Sequence, residues 1–174
     1  MDHQAANAVP STDTIAAVAT AVAPGQGGIA VIRISGPVAE TTGRSVVSCP
    51  GQQEWGSHRV VYGHVTDERG RRLDEVLMLL MRAPRSFTGE DVVEIHCHGG
   101  VIAVQQVLEQ VLHQPGVRAA LPGEFSQRAV LNGRLDLTRA EAVSELVAAR
   151  SRRAADLALA GLDGGIQVRM TRLR

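Results

Sequence analysis

The sequence predicts an α+β domain followed by a helical piece, and three observations predict it. Strand-like runs bounded by glycine, proline and polar turns fill most of residues 14–98. One later segment, Val101 to Leu112, repeats its apolar residues at helical spacing. Beyond Pro122 most of the chain reads as helix. These set a boundary near residue 122. It divides the chain into a loose tail at 1–12, an α+β domain at 13–121 and a helical piece at 122–174.

Taken in order, Thr14 to Val22 is a run of β-branched residues and alanine that ends at Pro24-Gly25-Gln26-Gly27-Gly28. Ile29 to Gly36 follows as the strongest strand signal, so two strands joined by a glycine loop are expected. Pro37 suits a first helical turn, and Val38, Thr41, Thr42 and Val46 outline a short helix closed near Cys49-Pro50. Arg59–Thr66 and Leu73–Met81 read as strands about a hairpin turn at Asp67-Glu68-Arg69-Gly70. A polar turn, Ser86 to Asp91, leads into the strand Val92–His98, which stops at Gly99-Gly100. Val101, Val104, Val107, Leu108, Val111 and Leu112 then mark a helix ended by Pro115-Gly116. In the helical piece, Thr138 with Glu141 reads as a capping box, and Val143, Leu146, Val147 and Leu157 form an apolar stripe. That stripe has no second or third helix of its own to pack on, so it implies either a partner or a truncated product.

Composition narrows the function classes. A chain of 174 residues accommodates one domain of ordinary size and an appendage. Aromatic residues are 2% of the chain against 44% hydrophobic, so the core rests on Val, Leu, Ile and Ala, and base stacking on aromatic platforms is poorly supported. The 18 basic and 18 acidic residues cancel, which removes the global field that drives unspecific RNA or membrane binding. All 18 basic residues are Arg and none is Lys. A GxxxxGKS/T phosphate loop and Schiff-base chemistry are therefore both excluded from this chain. Cys49 and Cys97 form neither a disulfide framework nor a CxxC pair, so a reduced, cytoplasmic setting is expected. Met1 to Thr12 does not read as a signal peptide, and Ile15 to Ala23 falls short of the ~20 residues that cross a bilayer. No membrane association is expected.

Two charged residues interrupt otherwise apolar strands. Glu94 shares a strand face with Val92 and His96 and needs a partner there, because an unpaired buried charge is costly. Either it forms a salt bridge with a nearby Arg, or it offers two coplanar acceptors to the paired N–H donors of a ligand such as a pterin or guanine edge. Arg33, amid Val31, Ile32 and Ile34, suits either pairing with Glu94 or gripping a ligand carboxylate or carbonyl. His96 and His98 share a face and could supply two zinc ligands, but no cluster supplying a third or fourth is visible, so no metal site is assigned. The Pro24–Gly28 loop precedes a strand rather than a helix and is no dinucleotide fingerprint. It is expected to be a turn, or a loop approached by a ligand or neighbouring subunit. His98-Gly99-Gly100 is expected to end a strand where backbone must approach closely. No nucleophile–base pairing can be assembled from spacing.

Five strings, taken together and in order, resemble the N-terminal part of the MnmE/TrmE tRNA-modification GTPases. They are Asp13 to Ala17, Pro24 to Gly36, Ser86 to Glu94, His98 to Gly100, and Pro122-Gly123-Glu124-Phe125-Ser126-Gln127-Arg128-Ala129 continued by Asn132 to Ala142. The resemblance implies a mixed sheet with helices, related to the folate-binding domain of the glycine-cleavage aminomethyltransferase. Such a domain forms a homodimer and binds a tetrahydrofolate derivative, 5-formyl- or 5,10-methylene-. With the FAD-dependent partner MnmG/GidA, the family adds a carboxymethylaminomethyl group to the wobble uridine of tRNA, which is engaged through the complex. The family's folate contacts carry over onto Arg33, Glu94 and Arg134; no catalytic and no metal-binding residue carries over. At position 134 most of the family has Lys, and Arg keeps the charge while preferring a bidentate partner.

A full-length member inserts a potassium-stimulated GTPase domain into its helical domain and ends in a short cysteine-containing motif. These 174 residues contain neither. The helical piece is thus expected to be the start of a helical domain cut before the GTPase domain, with GTP, Mg and K belonging to that missing part. The chain alone should not hydrolyse GTP. It reads as the front part of a tRNA-modifying enzyme or as a stand-alone folate-binding and dimerisation protein, with direct one-carbon transfer to a small amine as a lesser reading.

Overall fold

The computed structural model describes residues 13–25 and 27–163. The expected tail, Gln26 and the segment from Gly164-Gly165 to Arg174 lie outside the described residues. The elements in chain order are β1 (Thr14–Val18), β2 (Ile29–Ser35), α1 (Ala39–Val46), β3 (Val47–Ser48), β4 (Arg59–Thr66), β5 (Arg72–Met81), β6 (Val92–His98), α2 (Val101–Leu112), β7 (Val117–Ala119), α3 (Glu124–Leu131), α4 (Leu137–Ala148) and α5 (Arg152–Leu162). The strands form a seven-stranded sheet in the order β3-β4-β5-β6-β2-β1-β7. Neighbours run antiparallel except β1 and β7, so the sheet is mixed and the fold is α+β, as expected.

Alternation along each strand decides what each face of the sheet does, because successive side chains point to opposite sides. Ala30, Ile32 and Ile34 of β2, Val93 and Ile95 of β6, and Val76, Met78 and Leu80 of β5 turn to one side. There they meet Ala39 and Val46 of α1 and Val104, Val107 and Val111 of α2. Burial of each large aliphatic side chain contributes about 1.5–3 kcal/mol, which fixes the register of the whole sheet. The opposite face presents Arg33, Glu94 and His96, all only partly buried. It also exposes Val60, Tyr62 and Leu77.

The expected strands at Arg59–Thr66 and Val92–His98 appear with those bounds. The hairpin turn between β4 and β5 is closed by Gly70 N–H donating to Asp67 O at 2.9 Å. The Asp67 carboxylate also accepts from the Arg71 amide at 2.8 Å. β3 and β7, of two and three residues, give no alternation to read and went unforeseen. Gly99 meets the close approach that its motif implied. A side chain there would lie 2.5 Å from the Gly27 carbonyl oxygen, so the glycine loop before β2 and the end of β6 are in backbone contact. Cys49 and Cys97 are free thiols, and burial pushes Cys97 up to about 11, so it behaves as a core residue.

The capping box is corrected. α4 starts at Leu137, and its cap is Asp136, whose carboxylate accepts from the Arg139 amide at 2.8 Å. Thr138 lies inside the first turn and donates to Asp136 Oδ1 at 2.6 Å. A carboxylate two residues upstream is a stronger acceptor for the free amides of a helix start than a hydroxyl. The apolar stripe is also partly corrected, because α5 does return along α4. The two helices approach through small residues, with Ala142, Ala158 and Gly161 buried between them. Val147 and Leu157 stay exposed. An open groove of about 690 Å³ runs along α3 and α4 over Val130, Leu131, Leu137, Val143 and Val147.

Candidate ligand site

The two charged oddities of the sequence face each other. β2 and β6 pair antiparallel with Arg33 directly opposite Glu94. Arg33 Nε donates to Glu94 Oε1 at 2.8 Å, and Nη2 lies 2.7 Å from the same oxygen. The side chains remain 25% and 14% exposed, so the pair is sheltered yet reachable. With both contacts falling on Oε1, Oε2 faces His96 Nε2 at 3.6 Å, beyond hydrogen-bond range. The pairing that the sequence left open is therefore formed, and it uses only one edge of the carboxylate.

Aromatic cover completes the site. The Arg33 guanidinium lies 5.3 Å from the Phe87 ring centroid and 5.7 Å from that of Phe125, within cation–π range. These are the chain's only two phenylalanines, and both serve this one arginine. In the sequence both stand inside motifs, and nothing local marks them as contacts of Arg33. Their rarity, and their setting in polar glycine-containing strings, was the available signal.

A chain of polar contacts holds that cover in place. Phe87 belongs to the turn at 86–91, where Ser86 Oγ donates to Glu90 O at 2.6 Å. Thr88 and Glu90 both contact Ser35 Oγ of β2 at 2.7 Å. Phe125 sits on α3, anchored by the buried Arg128. Its guanidinium reaches Asp13 O and Oδ1 at 2.9 and 2.8 Å, Glu90 Oε2 at 3.3 Å and Glu124 Oε1 at 3.3 Å. Arg118 joins from β7, bonding Glu124 at 2.9 and 2.5 Å and Asp13 Oδ2 at 2.6 Å. The Arg118 hydrogen bond holds Glu124 down at about 2 and also lowers Asp13. The helix after residue 122 is thus wired to the sheet through charge.

Arg134 is exposed in the connection between α3 and α4. Its backbone amide donates to Ala129 O at 2.8 Å. The adjacent Asn132 donates to Thr88 O at 2.8 Å, which brings this connection against the Phe87 turn. Arg33 and Glu94 are thus in direct contact, and Arg134 reaches their neighbourhood only through that turn. His96 and His98 serve different carboxylates, since His98 Nδ1 contacts Asp74 Oδ1 at 2.6 Å. That contact raises the His98 imidazole above its usual range. Among the described residues no group of three or more His, Cys, Asp or Glu could hold a metal ion. Nor is any helix there long and apolar enough to cross a membrane.

Comparison with known proteins decides the family. The chain matches the family described as GTP-binding protein TrmE N-terminus over residues 14–134. It belongs to the TrmE N-terminal family. The match takes in Arg33, Glu94, the Phe87 turn, all of α3 and Arg134, so the site lies within the TrmE family region. The chain is 87% identical over 166 residues to the tRNA modification GTPase MnmE of Synechococcus sp. (strain CC9605), covering 95% of this chain and 37% of that relative. It is 78% identical over 167 residues to the protein of the same name from Prochlorococcus marinus (strain MIT 9303), covering 95% of this chain and 36% of the relative. The TrmE-type chain thus spans little more than a third of the length of these relatives.

Proposed function

We propose that this chain is the folate-binding and dimerising front part of a tRNA-modification GTPase. Its ligand is a tetrahydrofolate derivative, 5-formyl- or 5,10-methylene-, held at Arg33 and Glu94. The observation behind this reading is the half-buried carboxylate with one edge paired to Arg33 and the other turned to His96, beside an Arg33 guanidinium that lies against the rings of Phe87 and Phe125. A carboxylate so placed accepts from the adjacent N–H donors of a pterin edge, and the apolar rings suit its flat faces. The donor set fits the ligand, because Nε2 of His96 is buried and lacks a hydrogen-bond partner. Bound folate supplies a one-carbon unit; the residues described hold and orient it. Arg134, exposed beside the Phe87 turn, suits the ligand's anionic tail.

The relatives' name, tRNA modification GTPase MnmE, supports a role in tRNA modification, and the family resemblance supplies the finer part of the reading. In this reading the chain serves the modification of the tRNA wobble uridine in the cytoplasm, with the FAD-dependent MnmG/GidA protein as partner. tRNA is met through that complex, and GTP, Mg and K are handled by a GTPase domain that the longer relatives would contribute. Exposed Val60, Tyr62 and Leu77 on the sheet face, with Ile29 beside them, favour a homodimer through this domain.

Calorimetric titration of the chain with 5-formyltetrahydrofolate tests the reading. One saturable site per chain is expected, and Glu94→Ala should weaken it roughly 10- to 100-fold, as expected for a lost hydrogen bond to a charged group. Sedimentation of the same sample should give a dimer. A folded dimer that gives no heat with the ligand would refute the folate assignment.

A further inference from the structure

The unpartnered imidazole nitrogen beside Glu94 deserves an explanation of its own. Nε2 of His96 is buried and makes no hydrogen bond. A buried polar atom left without a partner loses its hydration and gains nothing in return, so native proteins keep few of them and usually fill them with water or ligand. The separation from Glu94 Oε2, 3.6 Å, is too long for a direct bond and is the kind of gap that an intervening group closes. β5 flanks this row with Leu77 directly opposite His96. A cavity of about 220 Å³ opens there, lined by Ile29, Tyr62, Leu77, His96 and His98 among others. Glu94, His96 and this cavity therefore form one continuous strip of the sheet face, running from the aromatic cover toward Gly99.

We propose that His96 is the specificity residue of this site: its Nε2–H donates to a ring carbonyl that neighbours the N–H donors taken by Glu94. The inference rests on the folate reading above and deepens it. A 2-amino-4-oxo pyrimidine edge presents N–H donors followed by a carbonyl, which matches the open Oε2 edge of Glu94 followed by one donor. The Nε2–H tautomer is the one favoured here, since a ring lone pair facing Glu94 Oε2 would be repelled. A 2,4-diamino ring replaces that carbonyl by a donor and leaves His96 facing N–H against N–H. The site thereby selects 4-oxo over 4-amino pteridines.

The test titrates the full chain and its Glu94→Gln, His96→Leu and His96→Gln variants with 5-formyltetrahydrofolate and with aminopterin, a 2,4-diamino pteridine. The wild-type chain should prefer the 4-oxo ligand by about tenfold or more. His96→Leu should lose most of that preference, and His96→Gln, which keeps a donor, should stay within about threefold of wild type. The ratio of the two affinities on a single variant cancels any loss of folded protein. An unchanged ratio in His96→Leu overturns the assignment of His96, and loss of binding in Glu94→Gln within the same series shows that the folate site itself stands. Absence of binding by the wild-type chain overturns both.

Discussion

Replacing Arg128 by alanine is expected to lower folding stability by about 3–5 kcal/mol, the range for taking one partner out of a buried ion network. The side chain is only 6% exposed, and the carboxylates of Glu90 and Glu124 around it are 12% and 8% exposed. Truncation removes the cation from between Asp13, Glu90 and Glu124 and lets their charges repel. Urea unfolding of wild type and Arg128→Ala gives the difference directly, and Arg128→Lys should recover only part of it, because one ammonium cannot span three carboxylates in the plane of a guanidinium. The same network should show in acid. Glu124 sits at about 2, below its ordinary 4.5, chiefly through Arg118. A lowered carboxylate gives stability that is complete above its unfolded value and lost as pH falls through its folded one. Wild-type stability should therefore decline between pH 4.5 and about 2, and Arg118→Ala should flatten that decline.

Gly36→Ala should be comparably damaging, by about 3–5 kcal/mol, from backbone strain and overpacking together. Gly36 directly follows β2 with φ +135°, a conformation that side chains resist. A Cβ there would lie 2.7 Å from the Asp13 carbonyl oxygen, the Thr14 Cα and the Thr14 Oγ1. Two of these atoms are backbone and cannot swing away, and Thr14 Oγ1 is itself engaged by the Val38 amide at 3.0 Å. Relief would have to separate the start of β1 from the end of β2, beside the Asp13 contacts of Arg128. Gly28→Ala is the matched control, since a Cβ there meets nothing within 4 Å, and it should change stability by no more than about 0.5 kcal/mol. Thermal melts of the two variants measure the contrast.

Much of this fold was legible because the information was local. Alternation bounded by glycine gave β4 and β6 their ends, and helical spacing gave α2. Arg33 and Glu94 announced themselves as charges on apolar strands. Their direct pairing was legible only as one of two alternatives, since it depends on a register between residues 61 positions apart. The aromatic cover was hidden for a related reason: Phe87 and Phe125 meet Arg33 only after the turn at 86–91 and α3 have docked. That docking rests on contacts such as Arg128 to Asp13, separated by 115 positions. His96 was visible as a possible metal ligand, but its unpartnered nitrogen is a property of packing, which spacing does not report. At α4 the error was local, because the Thr138–Glu141 spacing fits a capping box and Asp136 competes with it from two residues upstream.

Hydrogen exchange of the chain with and without saturating 5-formyltetrahydrofolate tests the location of the site most directly. Binding at Arg33 and Glu94 should slow exchange in β2, β6, the turn at 86–91 and α3, and Glu94→Ala should move the effect to roughly 10- to 100-fold higher ligand concentration. Slowing confined to the groove along α3 and α4 and to α5, or none at ligand saturation, would contradict the account.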